Sequence, residues 1–375
     1  MPRPDRLRVV TFLDTLWTGG AERMAVTIAT HLDPERFESK VCVYKPSRRA
    51  PLAAELKAAA IPVLHLDRSH RAALWSWTPL MQLLRKERTH VLHSHKFGPN
   101  VWGTILGTLA RVPVRIAHEH GSERDRCHYA VDRMLIGRAA NALVAVSEAE
   151  RRHIIEVERV HPEKVRVIRN GIKPLPAGTA DLRRELGLGP EVPLIGTLAV
   201  LRPEKALEVV IDAAALLFRR FPDLHVVIAG EGPEESRLRA LARQSGLEGR
   251  IHLLGFRQDI ANVFAALDVA VFSSDREAMP LATIEAMAAG KAIVATEIDG
   301  TRDLIRDGEQ GLLVPTRNPG ALANAVARLL EDRELRERFG VRAKERQRRE
   351  LDIQGTVRAF ERLYDELFAQ SGQER

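Results

Sequence analysis

The chain has 375 residues, of which 45% are hydrophobic and 29% charged, and a formal net charge of +7; this length calls for two cores, and this balance excludes disordered and fibrous classes. No apolar run approaches the roughly 20 residues that cross a bilayer, and the two cysteines, Cys42 and Cys127, form no CxxC or zinc pattern, so a membrane-spanning protein and a disulfide scaffold are excluded and a cytoplasmic setting is expected. The charge is uneven: residues 1–175 hold 29 Lys+Arg against 18 Asp+Glu, and the remainder 28 against 32, so that +11 in the first half meets −4 in the second.

The opening residues, MPRPDRLRVVTFLDTL, run directly into a strand-like segment without the apolar core of a signal peptide, and no secretory leader is expected. Strand-like runs at 7–13, 41–44, 63–66, 90–93, 114–117, 143–146 and 165–168 alternate with helical periodicity, as at 20–32. This alternation predicts βαβ units and a parallel sheet. Between the first strand and first helix stands Trp17-Thr18-Gly19-Gly20-Ala21-Glu22. Paired glycines at the carboxyl end of a strand let a backbone pass close to a ligand. Trp75, Trp77 and the following PLMQLLRK form an amphipathic segment, expected to pack its apolar face on the sheet rather than touch a membrane.

Eleven of the 13 histidines fall in the first half. His93 with His95, and His118 with His120, have the i, i+2 spacing of one strand face. Carboxylate partners at ligand spacing are not apparent, so the histidines are read as hydrogen-bonding groups and no metal is expected. His120 is singled out because it precedes a glycine at a strand end. Nucleic-acid binding is not expected, since no basic motif interleaved with aromatics is present. The basic first half suits an anionic partner such as a membrane surface or a phosphorylated acceptor, or it is diffuse solubilising charge.

Asn170-Gly171 ends the first series, and the Pro- and Gly-rich residues 175–190 are read as a linker. The same grammar then restarts. Strands are expected at 193–198, 225–229, 251–254, 269–272, 292–295 and 312–314, with helices at 204–219, 234–244 and 280–289. GEG at 230–232 lacks a third glycine, so a dinucleotide fingerprint is not supported. The tail, 353–369, is apolar at helical spacing and needs a groove to cover it.

The stretch 273–289, SSDREAMPLATIEAMAA, organises the second half. It leaves a buried strand, turns, and enters a helix with Pro280 expected at its first position. The free N–H groups and positive dipole end of such a helix seat a phosphate. Glu277 lies just before the helix and Glu285 within it. Carboxylates beside a phosphate are useful when hydroxyls must be bound, which points to a sugar phosphate or nucleotide sugar. The plainer reading is an ordinary helix capped by Asp275 or Ser274, with Glu285 in solvent.

With these residues in place, the chain resembles glycosyltransferase family 4, the retaining, sugar-nucleotide-dependent enzymes of GT-B fold. The resemblance runs through Gly19-Gly20-Ala21-Glu22, VLHSH at 91–95, EHG at 119–121, AVSEA at 145–149 and VIRNGI at 167–172. It continues through LRPEKALEVVIDA at 201–213, IAGEGPE at 228–234, LLGFRQD at 253–259, EAMPLATIEAMAAGKAIVAT at 277–296 and GLLVP at 311–315. It implies an α/β architecture of two facing, doubly wound Rossmann-like domains with an interdomain cleft. The N-terminal acceptor domain would span 1–174, joined by a crossing helix at 352–370. The donor domain would span 191–351.

The resemblance also implies roles. Glu285 would hold the donor ribose and Glu277 the transferred sugar. Met279, Pro280, Leu281 and Ala282 would line phosphate or sugar. Lys205 would neutralise the diphosphate, with Arg202 standing in for an arginine that relatives carry at the place of Val200. Gly255, Phe256 and Arg257 would flank the base. Gly19 and Gly20 would approach the diphosphate, and His120 would face the sugar. The implied activity is metal-independent transfer of a hexose or related sugar, from a UDP-sugar above all, to a glycan, lipid-linked or small-molecule acceptor in polysaccharide or glycoconjugate synthesis, peripheral to the inner membrane face. A nucleotide-sugar epimerase and a non-catalytic nucleotide-sugar-binding protein are the alternatives. Ala206, where relatives favour glycine, and Asp299-Gly300-Thr301 are further departures from the family pattern.

Overall fold

The computed structural model describes residues 4–45, 50–66, 74–121 and 126–373. The chain forms two compact units, one built from residues up to Asn170 together with the segment from Ile353 onward, the other from Gly171–Asp352. Among the described residues, no helix is long and apolar enough to cross a membrane.

The first unit is a parallel sheet of β1 (Leu7–Leu13), β2 (Phe37–Val43), β3 (Val63–His65), β4 (Val91–His95), β5 (Val114–Glu119), β6 (Ala142–Ala145) and β7 (Val165–Val167). Its order is β3-β2-β1-β4-β5-β6-β7. The central strands β4 and β6 are buried at every residue, as expected of parallel strands covered on both faces. β2 starts earlier than its apolar run. Phe37 and Ser39 are buried while Glu38 and Lys40 are half-exposed, an alternation that a search for continuous apolar residues misses. Trp77 is buried against Phe12, Tyr44 and Trp102, so the amphipathic segment faces the sheet; Trp75 alone stays 78% exposed. Cys42 is a buried free thiol, and the side chain of Cys127 lies outside the described part.

The apolar tail finds its groove in this unit. The helix Ile353–Gln373 buries Val357, Phe360, Leu363, Tyr364 and Leu367. Phe360 packs against His93 and His118, and Tyr364 against Phe37. Polar bonds fix the register: Arg36 pairs with Glu361 at 3.1 Å, and the Asp33 N–H donates to Glu361 at 2.8 Å.

The second unit is a parallel sheet of β8 (Leu194–Leu198), β9 (His225–Ala229), β10 (Ile251–Gly255), β11 (Val269–Phe272), β12 (Ala292–Thr296) and β13 (Gly311–Val314). Its order is β10-β9-β8-β11-β12-β13. Residues 175–190, read above as a linker, are packed onto this unit. Arg183 donates to Asp268 at 2.9 Å and to the carbonyls of Ala266 and Val192, and the Thr179 N–H donates to Asn262 at 2.9 Å. Proline and glycine content signalled irregular backbone there and said nothing of these bonds. The helix expected over 204–219 is also divided. A 3-10 turn at Pro203–Lys205 is followed by Ala206 in the left-handed region, with φ +48, and then the helix Leu207–Leu217.

All four tryptophans, Trp17, Trp75, Trp77 and Trp102, belong to the first unit, so their fluorescence reports its unfolding alone. Phe360→Ala deletes a fully buried ring. It is expected to lower the stability of this unit by about 3–5 kcal/mol in urea titrations read by that fluorescence. An unshifted midpoint would mean that the last helix contributes little to this core.

Candidate functional site

In both sheets the order in which strands are added reverses at the first strand. β8 is flanked by β9 on one side and β11 on the other, so the loops after β8 and β11 diverge and open a crevice at the strand ends. Ligands of doubly wound sheets bind at such switch points. Part of the second half's predicted set lies here, while Gly255 ends, and Phe256 and Arg257 follow, the edge strand β10. The loop after β8 carries Arg202 and Lys205, and the loop after β11 carries Glu277, Met279 and Pro280.

These two loops are tied together residue by residue. Lys205 and Glu277 form a half-buried ion pair. Ser274 donates to the same Glu277 carboxylate at 2.9 Å, and Ser273 donates to the carbonyls of Lys205 and Ala206 at 2.9 and 3.0 Å. The Asp275 N–H donates to the Glu204 carbonyl at 2.9 Å. Arg317 clamps Asp275 and also reaches Glu208. Arg202 is exposed, with only a distant pairing to Glu204 at 3.9 Å. The left-handed Ala206 lets the chain turn sharply from Lys205 into a helix, a position at which glycine carries no steric cost.

Pro280 stands one place earlier than expected. It is the N-cap of the helix Leu281–Ala288 and its side chain makes no cap bond; Asp275 accepts from Arg317 and Ser274 donates to Glu277 instead. The first-turn N–H groups, including those of the half-buried Leu281 and Ala282, therefore remain available to an anion. Glu285 is 4% exposed, which overturns the reading of it as a solvated surface residue. Its carboxylate is thus buried one helical turn into this helix. The Glu277 carbonyl lies 2.4 Å from where a Cβ on Gly300 would stand. Gly300 thus lets the segment after β12 press against the loop that carries Glu277.

Of the three base-flanking residues, Gly255 has φ +67 and ends β10, and Phe256 is 38% exposed. Arg257 is committed elsewhere: it pairs with both oxygens of Glu185 at 2.8 and 3.0 Å and with Asp259 at 2.8 Å. The hydrogen bonds it donates to Asp259 and Glu185 hold its guanidinium further into the charged form. It acts as a clamp on the second unit, and Phe256 is the member of the trio with a free surface.

In the first unit the reversal lies between β1 and β4. Gly19 is the N-cap of the helix Gly20–His31, and a Cβ there would meet Glu22 Oε2 at 2.2 Å. Glu22 in turn accepts from Lys96 at 2.8 Å, and Lys96 also donates to Asp14. Burial works to raise the Asp14 carboxyl, but the ammonium groups of Lys96 and Lys45 outweigh it and hold it below the usual range. Lys96, with φ +73, was missed in sequence because it lies one residue beyond its strand run and matches no motif.

His120 sits half-buried at the end of β5, 3.1 Å from His95. His93 with His95 and His118 with His120 make the ring contacts expected within each pair, and the pairing of β4 with β5 joins the two pairs into one continuous set. Burial keeps these rings neutral. His93 and His120 are pushed down to about 3, the latter also by Lys96, and His95 and His118 are held well below the ordinary range.

The chain matches known proteins over nearly all of this framework. Residues 18–174 match Glycosyltransferase Family 4, and residues 179–346 match glycosyl transferases group 1. It is 29% identical to a D-inositol 3-phosphate glycosyltransferase of Corynebacterium glutamicum over 77% of this chain and 76% of that one. It is 27% identical to an Escherichia coli UDP-Gal:alpha-D-GlcNAc-diphosphoundecaprenol alpha-1,3-galactosyltransferase over 84% of this chain and 86% of that one. The crystal structure of Anabaena Alr3699/HepE in complex with UDP-glucose superposes with a TM-score of 0.85 at 23% identity, covering 96% of this chain and 99% of that one. That likeness extends the two Rossmann-like units to the GT-B fold. Two consecutive family matches on two switch-point sheets, with the strand-end residues in their expected loops, identify the chain as a glycosyltransferase of family 4.

Proposed function

We propose that this glycosyltransferase moves a hexose or related sugar from a UDP-sugar to a hydroxyl of a lipid-linked or growing glycan, with retention at the anomeric carbon and without a catalytic metal. The observation that carries this reading is the meeting of Lys205, Glu277 and an uncapped helix N-terminus at one strand-end crevice. Breaking the bond between the anomeric carbon and the diphosphate builds negative charge on the phosphate oxygens and positive charge on the sugar. Lys205 and the N–H groups of Leu281 and Ala282 stabilise the first, because they are oriented before the charge develops. Glu277 accepts from sugar hydroxyls and lies close to the positive centre. Glu285 accepts from the ribose hydroxyls. The acceptor oxygen forms its bond on the face that the phosphate leaves, and the departing phosphate oxygen takes the acceptor proton.

Two features favour this donor and acceptor class. The UDP-glucose complex of the Anabaena protein shares the fold, and the names of both relatives specify phosphate-bearing acceptors. The basic first half, +11 over residues 1–175, suits a phosphorylated acceptor and contact with an anionic membrane surface.

The test is a panel of UDP-, GDP- and ADP-sugars incubated with the purified protein and chelator. Release of UDP from one sugar is expected. Conversion of the sugar nucleotide without nucleotide release would favour an epimerase, and binding without consumption a binding protein. With the working donor, Lys205→Ala is expected to lower kcat about 100-fold with a smaller change in KM. An intact kcat would transfer the role to Arg202.

A further inference from the structure

We infer that His93, His95 and His118 form a binding site for a late first-row divalent cation such as Zn2+, inside the first unit and beneath its last helix. No carboxylates stand at ligand positions in the sequence, so spacing alone predicts no metal. The fold supplies a third imidazole instead. β4 and β5 are paired in parallel with His95 opposite His118, and His93 lies two residues earlier on the same face as His95. One ring nitrogen from each of the three lies within 4.8 Å of the other two. Nitrogens bound to one Zn2+ at about 2.0–2.1 Å stand at most about 4 Å apart, so the set would tighten and the rings reorient on binding.

Two of the ligands have outer contacts. His93 Nδ1 is 2.7 Å from the Tyr364 hydroxyl, and His95 Nδ1 is 3.1 Å from His120 Nε2. A ligating histidine characteristically donates its second ring N–H to such a partner, which fixes the tautomer and leaves the other lone pair for the metal. The atoms so left are His93 Nε2 and His95 Nε2. Both are buried and without a hydrogen-bond partner among the described residues, as are both ring nitrogens of His118. All three residues are 0% exposed. Several imidazole nitrogens facing one another without partners are costly in a dry interior, and a shared cation satisfies them at once. Three neutral nitrogens with a fourth position for water or an anion match the borderline-soft divalent ions. Phe360 and Tyr364 close the site from the helix Ile353–Gln373. The ion would therefore join β4, β5 and, through Tyr364, that helix.

The experiment titrates Co2+ into chelator-treated, tag-free full-length protein after prolonged equilibration. One equivalent is expected to give the visible absorption of four-coordinate Co2+, and Zn2+ should displace it. His118→Gln should abolish the band. Tyr364→Phe should weaken binding about 10- to 100-fold. A readout that needs no variant is the 15N spectrum of histidine-labelled wild type, in which three ring nitrogens should move to metal-bound positions on adding Zn2+. Absence of stoichiometric uptake by the wild type, uptake unaffected by His118→Gln in a folded protein, or unmoved ring nitrogens would each overturn the inference.

Discussion

A parallel sheet covered on both faces has no room for charge along its strands, so the polar chemistry of such a unit collects at the strand ends. In this protein that constraint operates twice. β8 and β1 each have neighbours added on both sides, and the loops that leave them part from the loops after β11 and β4. At one crevice the parting loops bring Lys205 to Glu277. At the other they bring Lys96 to Asp14 and Glu22. Ammonium groups at strand ends thus recur in both units, each held by carboxylates from an adjoining loop.

The loop that carries Glu277 is over-determined. Ser273, Asp275 and Glu277 are bound from the β8 side, Arg317 holds Asp275 from beyond β13, and Gly300 admits close backbone contact from beyond β12. A site that must stabilise developing charge benefits from such support, since groups already in place need no reorganisation when the charge appears. The ion pair between Lys205 and Glu277 places opposite charges where a diphosphate and a sugar cation would need them in the proposed reaction.

What could be read from sequence follows the same physics. Buried parallel strands announce themselves as apolar runs, and β9 and β11 lie where those runs do. β2 does not, because its first residues alternate in burial. That His93 shares a strand face with His95, and His118 with His120, was legible from i, i+2 spacing; that the two pairs meet depends on the pairing of β4 with β5. Closure of this set by Phe360 and Tyr364 was legible only as an unassigned apolar stripe, since a helix's groove is a tertiary property. The Ser274, Asp275 and Arg317 bonds carry no periodic signal. Asp275 looked like a helix cap because it precedes a helix in sequence, while in the fold it accepts from an arginine 42 residues away. Ala206 is the converse case, where a departure from glycine in the family pattern marked a real left-handed position.

In the proposed reaction the strand-end crevice of the second unit seats the nucleotide of the donor. Calorimetric titration of UDP into the wild type and Glu285→Ala tests it most directly. Loss of the buried carboxylate should weaken UDP binding by about 1–3 kcal/mol, roughly 5- to 150-fold in Kd, with folding unchanged. Equal affinities in two folded proteins would contradict the claim and move the nucleotide away from the helix Leu281–Ala288.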